Sequence, residues 1–201
     1  MTLDRLRPLA DRALGPWVAG ARRLGLTPDG ISLLALGVAV AAGFAFAAAG
    51  GDRRLYLAGA LLVFLNGWLD LLDGALAREL AVESAAGDLL DHVVDRYADI
   101  AIVVGLAAGI DDWLLGVAAV TGVLMTSYLG TQAEAVGLER VYGGLVGRAD
   151  RLALIGLAAL LASVVEGTLE GYGPVGWLLV VLAVVGHLTA LQRFYYAYRA
   201  L

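Results

Sequence analysis

Six stretches of the chain are apolar over enough length to cross a bilayer as helices, which takes roughly 20 residues each. Residues 31–49 form the first and carry no charge. Residues 55–76 form the second, interrupted by Asp70 and Asp73. The third, 88–108, opens on Asp88, Asp91, Asp95, Arg96 and Asp99. Residues 113–128, the short 152–165 and 175–196 complete the set. Ahead of them, residues 1–26 place Arg on one side and Leu3, Leu6, Leu9, Leu14 and Trp17 where they can face lipid. That is the pattern of an amphipathic helix lying on a membrane surface. Thr27-Pro28-Asp29 breaks the chain between this helix and the first span. The pattern predicts an all-α polytopic membrane protein. A juxtamembrane helix (1–26) precedes one six-helix transmembrane domain (27–201).

Composition agrees. Hydrophobic residues make up 60% of the chain and the mean hydropathy is +0.80, an excess over soluble domains that lipid must cover. Cysteine is absent, which excludes disulfides and thiolate metal sites. His92 and His187 are too few for a His-rich zinc centre. The net charge of −5 offers no basic surface for nucleic acid. No cleavable signal peptide is visible at the N-terminus.

The 14 basic residues are all Arg. With the N-terminus in the cytoplasm, only Arg53 and Arg54 fall outside. The remainder, including Arg5, Arg78, Arg96, Arg140 and Arg199, lie at the inner face, as the positive-inside rule requires. Both termini are then cytoplasmic. The longer loops, 79–87 and 130–150, open toward soluble substrates.

Ionisable groups inside spans are costly and mark functional sites. Asp70 and Asp73 are spaced i, i+3, and Asp91 and Asp95 are spaced i, i+4, so each pair shares one helix face. The two helices run antiparallel, and the pairs can face each other at one depth near the cytoplasm. Four confined carboxylates call for bound cations, and hard oxygen ligands suit Mg²⁺ or Mn²⁺. Two ions can clamp a diphosphate. Gly74 leaves space for substrate against the backbone, and Ala77 keeps the same face open. Arg78 offers a planar fork to phosphate oxygens. Gly87 opens the third span, whose N-terminus favours an anion.

The run D70-x2-D73-G74-x2-A77-R78-x8-G87-x3-D91-x3-D95 resembles the signature of the CDP-alcohol phosphotransferase family. Every motif position agrees in residue type and spacing. The resemblance implies transfer of a phosphatidyl or archaetidyl group from a CDP-activated lipid to an alcohol, with release of CMP. It implies Asp70, Asp73, Asp91 and Asp95 as ligands of two metal ions and Asp95 also as the base. Gly74, Ala77, Arg78 and Gly87 are implied for the CDP-lipid, and a homodimer for the assembly. The chain is similar to the branch that uses polyol phosphates such as glycerol phosphate or inositol phosphate. There Arg148, Arg151 and Arg193 match the places that hold the acceptor phosphate. Gly130-Thr131-Gln132 depart from the basic residues usual in inositol phosphate enzymes. The MTLDRLRP and DHVVDRYAD runs are similar to archaeal members, which points to CDP-archaeol as donor.

Two other classes use intramembrane carboxylates. Intramembrane prenyltransferases hold a magnesium diphosphate on Asp-rich helices, but they need about nine spans, more than this length supplies at roughly 20 residues each. Cation transporters spread acidic groups along a pore, whereas here they gather at one end. Several residues have simpler readings. Asp88 suits a helix N-terminus, Asp99 a pair with Arg96, and His92 and His187 structural contacts, while Asn66 suits either a partner supporting the site residues or helix packing. Gly37, Gly43 and Gly50 suit close helix packing, and Tyr195, Tyr196 and Tyr198 an interfacial belt.

Overall fold

The computed structural model describes residues 7–138 and 147–201, with side chains from residue 13 onward. The described residues form α1 (Arg7–Arg23), α2 (Pro28–Ala48), α3 (Arg54–Leu80), α4 (Ala85–Ile110), α5 (Trp113–Ala135), α6 (Arg148–Val164) and α7 (Pro174–Ala200). Four of them, α2, α3, α5 and α7, are long and apolar enough to cross a membrane by length and composition. The other two predicted spans fall short for separate reasons. Helix α4 has 26 residues, but its first half carries Asp88, Asp91, Asp95, Arg96 and Asp99. Helix α6 has 17 residues, about 26 Å at 1.5 Å per residue.

Local chemistry sets the helix ends. Thr27 caps α2, its Oγ1 accepting from the Gly30 N–H at 3.1 Å, with Pro28 in the first turn. Ser84 caps α4 in the same way through the Gly87 N–H. Ala81 ends α3 in a left-handed conformation, φ 53°. The loop expected over 79–87 therefore shrinks to 81–84, because α3 continues past Arg78 and the Ser84 cap starts α4 early. At the other expected loop, α5 continues to Ala135, and residues 139–146, with Arg140, lie outside the described residues.

Helices α2 to α7 close into a ring. Helix α2 packs against both α3 and α4, α4 against α5, α5 against α7, α7 against α6, and α6 returns to α3. Consecutive helices α3 and α4 do not pack side by side. They stand on either side of α2, so their acidic faces look across a gap. Glycines permit the α2–α4 contact: a Cβ on Gly105 would overlap the Gly43 carbonyl, and one on Gly50 the Gly109 carbonyl. The packing roles expected of Gly43 and Gly50 hold. Gly37 differs, having nothing within 4 Å of where its Cβ would be.

Helix α1 lies outside the ring on α3. Leu14, Val18 and Ala21 are buried with Ile31, Ala35, Leu69, Leu72 and Leu76. Leu14 thus faces protein rather than lipid, because α3 offers it a ready apolar face. Trp17 remains mostly exposed and meets Trp68 edge-on at 6.1 Å. The side chains of Leu3, Leu6 and Leu9 lie outside the described residues. At the opposite end of the ring, Arg53 holds the end of α6. It donates to the Ala162 carbonyl at 2.7 Å and to the Val165 carbonyl, and it pairs with Glu166 at 2.9 Å. Tyr172 donates to Asp112 there at 2.9 Å.

Gly105→Ala is expected to destabilise the chain by about 1–3 kcal/mol, the usual cost of overpacking. Gly37→Ala, made in the same helix pair but into open space, is expected to leave thermal unfolding in detergent unchanged or slightly raised.

Candidate active site

Between α3, α4 and α6 lies an open cavity of about 1690 Å³. Its lining includes Asp70, Asp73, Gly74, Ala77 and Arg78 from α3, Gly87, Asp91 and Asp95 from α4, Arg148 and Arg151 from α6, and Arg193 from α7. Every residue expected to hold metal, CDP-lipid or acceptor phosphate lines this one space, although α3 and α4 do not pack together. Helix α2 holds them apart while its own first turn contributes Thr27, Asp29 and Ser32 to the wall.

The acidic residues are not equivalent. Asp70, Asp91 and Asp95 bring carboxylate oxygens within 4.8 Å of one another. An all-oxygen donor set at that spacing fits a hard divalent cation. Asp73 is set differently. Its Oδ2 accepts from Ser32 Oγ at 2.7 Å and its Oδ1 from the Gly74 N–H at 2.6 Å, and the residue is buried. Ser32 escaped the sequence reading, since a lone Ser in an apolar span carries no periodic signal.

Arg148 joins the two acidic helices. Its Nη1 lies 2.5 Å from Asp70 Oδ1 and its Nη2 lies 2.7 Å from Asp95 Oδ1. The guanidinium fork suits two oxygens at once. The position is notable because the first turn of a helix disfavours cations, and the facing carboxylates offset that cost. Asp150 meanwhile accepts from the Gly147 N–H at 3.1 Å and satisfies the helix start.

Behind the first carboxylates lies a second set of charges. Arg96 Nη2 sits 3.6 Å from both Asp95 Oδ2 and Asp99 Oδ2. Asp99 Oδ2 also lies 2.8 Å from Arg151 Nη2, with both residues buried. The expected Asp99–Arg96 pair is present, but the closer partner is Arg151. The spacing held a clue: Asp91, Asp95 and Asp99 recur every four residues along one face of α4. On α7, Arg193 donates to the Thr126 carbonyl at 2.6 Å. His187 meets Thr121 at 3.4 Å, a structural contact as expected, and Asn66 donates to the Ala35 carbonyl at 2.9 Å, which favours its packing role. His92 Nδ1 lies at hydrogen-bond distance, 2.8 Å, from the Asp88 carbonyl one turn earlier in α4.

Residues 25–189 match the family model for CDP-alcohol phosphatidyltransferase. The chain belongs to this family. It is accordingly an enzyme that transfers a substituted phosphate from a CDP-activated donor to an alcohol, and the prenyltransferase and transporter readings fall away. Among its relatives is the archaetidylinositol phosphate synthase of Methanothermobacter thermautotrophicus, 34% identical over 99% of this chain and 95% of the relative. The phosphatidylinositol phosphate synthase of Mycobacterium marinum is also 34% identical, over 92% of this chain and 79% of the relative. The crystal structure of the Mycobacterium tuberculosis phosphatidylinositol phosphate synthase with CDP-DAG bound superposes with a TM-score of 0.79 at 30% identity. It covers 93% of this chain and 94% of that one. The same enzyme crystallised with manganese and citrate also gives 0.79, at 30% identity, over 92% of this chain and 88% of that one.

Removing the Ser32 hydroxyl takes a hydrogen bond from a buried carboxylate, a contact worth about 1.5–3 kcal/mol. Ser32→Ala is expected to slow CMP release by roughly tenfold or more while the protein remains folded. Unchanged turnover would show that Asp73 holds its place without Ser32.

Proposed function

We propose that this enzyme transfers the lipid-phosphate group of CDP-archaeol to inositol phosphate, forming archaetidylinositol phosphate and CMP. The observation that carries this reading is the array of Arg148, Arg151 and Arg193 lining the same cavity as the carboxylates. A neutral alcohol has no use for three guanidinium groups, whereas a phosphorylated polyol does. The uncharged 130–132 stretch loses its force against inositol phosphate here, since α6 and α7 supply the positive charge. The inositol phosphate synthases among the relatives support the same acceptor.

The donor fits the rest of the cavity. Leu61, Phe64 and Trp68 on α3 face Leu157 and Leu160 on α6 along its wall, an apolar groove suited to two lipid chains. Gly74, Ala77, Arg78 and Gly87 take the diphosphate and nucleotide. Asp70, Asp73, Asp91 and Asp95 hold two divalent ions, Mg²⁺ or Mn²⁺, which when bound neutralise charge on the diphosphate. Asp95 accepts the proton of the acceptor hydroxyl as its oxygen bonds to the lipid phosphorus and the bond to CMP breaks. The ring of α2 to α7 then serves as six membrane spans. α1 lies along the cytoplasmic surface, both termini and the cavity face the cytoplasm, and the enzyme works as a homodimer. The twelve-to-two Arg asymmetry supports that orientation.

The test is CMP release by the purified chain in lipid with CDP-archaeol, Mg²⁺ and a panel of inositol phosphate, glycerol phosphate, free inositol and serine. Turnover is expected with inositol phosphate. Turnover with free inositol or serine alone would overturn the phosphate-acceptor reading.

Arg148 yields a second prediction, because its fork holds oxygens that a metal ion would also use. Arg148→Gln is expected to tighten Mn²⁺ binding by roughly tenfold, equivalent to about 1.4 kcal/mol, measured by electron paramagnetic resonance. Arg151→Gln removes the same charge nearby without touching Asp70 or Asp95, and is expected to change it far less. Equal effects from both would leave only long-range electrostatics and remove direct competition.

A further inference from the structure

Asp99 has no place in the motif that binds the donor, yet it is among the most buried charges in the chain. Its Oδ2 lies 2.8 Å from Arg151 Nη2 and 3.6 Å from Arg96 Nη2. Arg96 in turn reaches Asp95, and Arg148 links Asp95 to Asp70. Charges of opposite sign therefore alternate from the carboxylates at the cavity to Arg151 behind them. A buried ion pair adds little net stability over apolar residues of the same size. What it does impose is orientation.

Arg151 shows what is being oriented. It lines the cavity on one side and is buried against α4, α5 and α7 on the other. Asp99 engages it through a single nitrogen, while a guanidinium carries five N–H donors in a fixed plane. Held by one edge against α4, that plane has its remaining donors in a set direction. Without Asp99, the cation would stand beside Arg96 with no carboxylate between them, and the two would repel.

We propose that Asp99 is a positioning residue for the acceptor, fixing the Arg151 guanidinium so that it meets the acceptor phosphate in one orientation. This rests on the acceptor reading of Arg151 above. It assigns to Asp99 an effect on the second substrate alone, transmitted through Arg151, with Arg96 separating its charge from that of Asp95.

The experiment is steady-state kinetics on the full chain with CDP-archaeol and inositol phosphate, using Asp99→Asn, Arg151→Gln and the double variant. Asp99→Asn is expected to raise the acceptor KM by about tenfold while the donor KM stays within about twofold, the signature of lost acceptor binding. The double variant is expected to match Arg151→Gln alone, since Asp99 acts only through Arg151. An Asp99→Asn effect that falls equally on both substrates, or persists in full when Arg151 is already Gln, overturns the proposal. If Arg151→Gln itself leaves the acceptor KM unchanged, the acceptor reading fails, which is distinct from Asp99 failing to position an arginine that does matter. Should Asp99→Asn not fold, Asp99→Glu retains the charge but displaces it by one methylene. It is expected to raise the acceptor KM in the same direction, and an unchanged acceptor KM would overturn the proposal.

Discussion

Carboxylates set between membrane helices must be given positive charge, or they cannot remain ionised in a low-dielectric setting. Much of the cavity end follows from that requirement. Arg148 enters at the start of α6, where a helix ordinarily disfavours a cation, because Asp70 and Asp95 face it. Arg96 and Arg151 extend the compensation inward around Asp99. Helices α3 and α4 both pack on α2 rather than on each other, so their acidic faces meet across the cavity only through side chains, with the Asp70, Asp91 and Asp95 oxygens within 4.8 Å of one another.

Compensation and chemistry use the same groups. An arginine that balances carboxylates has the chemistry to bind phosphate, and a carboxylate that balances arginines has the chemistry to ligate a metal or take a proton. Substrates and ions therefore enter a charge network that already exists rather than a neutral pocket. Under the proposed function, each arrival would compete with the pairings among Asp70, Asp95 and Arg148. Binding of one anionic or cationic partner is thereby linked to binding of the next, in the ordinary thermodynamic sense.

Much of the site was legible in the sequence because its residues sit at helical spacing within apolar runs, where any charge stands out. The same contrast made the six apolar stretches visible and put their boundaries within four residues of the helices, except that α5 runs seven residues past 128, to Ala135. The errors had local causes. The loop at 79–87 was drawn too long because Arg78 and Glu79 end the apolar run, while the helix continues to Leu80. Leu14 was turned toward lipid because an amphipathic pattern does not say which apolar neighbour will cover it. Ser32 and the Asp99–Arg151 contact join residues 41 and 52 positions apart, and pairings across helices leave no periodic trace in one sequence. Gly37 looked like its neighbours Gly43 and Gly50, and only the crossing point of α2 and α4 separates them.

At its far end helix α6 is gripped by Arg53, which donates to its last carbonyls and pairs with Glu166 beyond them. Its other end carries Arg148 and Arg151 at the cavity. Packed against α3 and α7, this rod of about 26 Å moves as one piece. A tilt of about 2° at the clamp swings the arginine end by about 1 Å, enough to exchange one hydrogen-bond partner for another. The positions of Arg148 and Arg151 are thus tied to the opposite end of the ring, through an arginine that does not line the cavity.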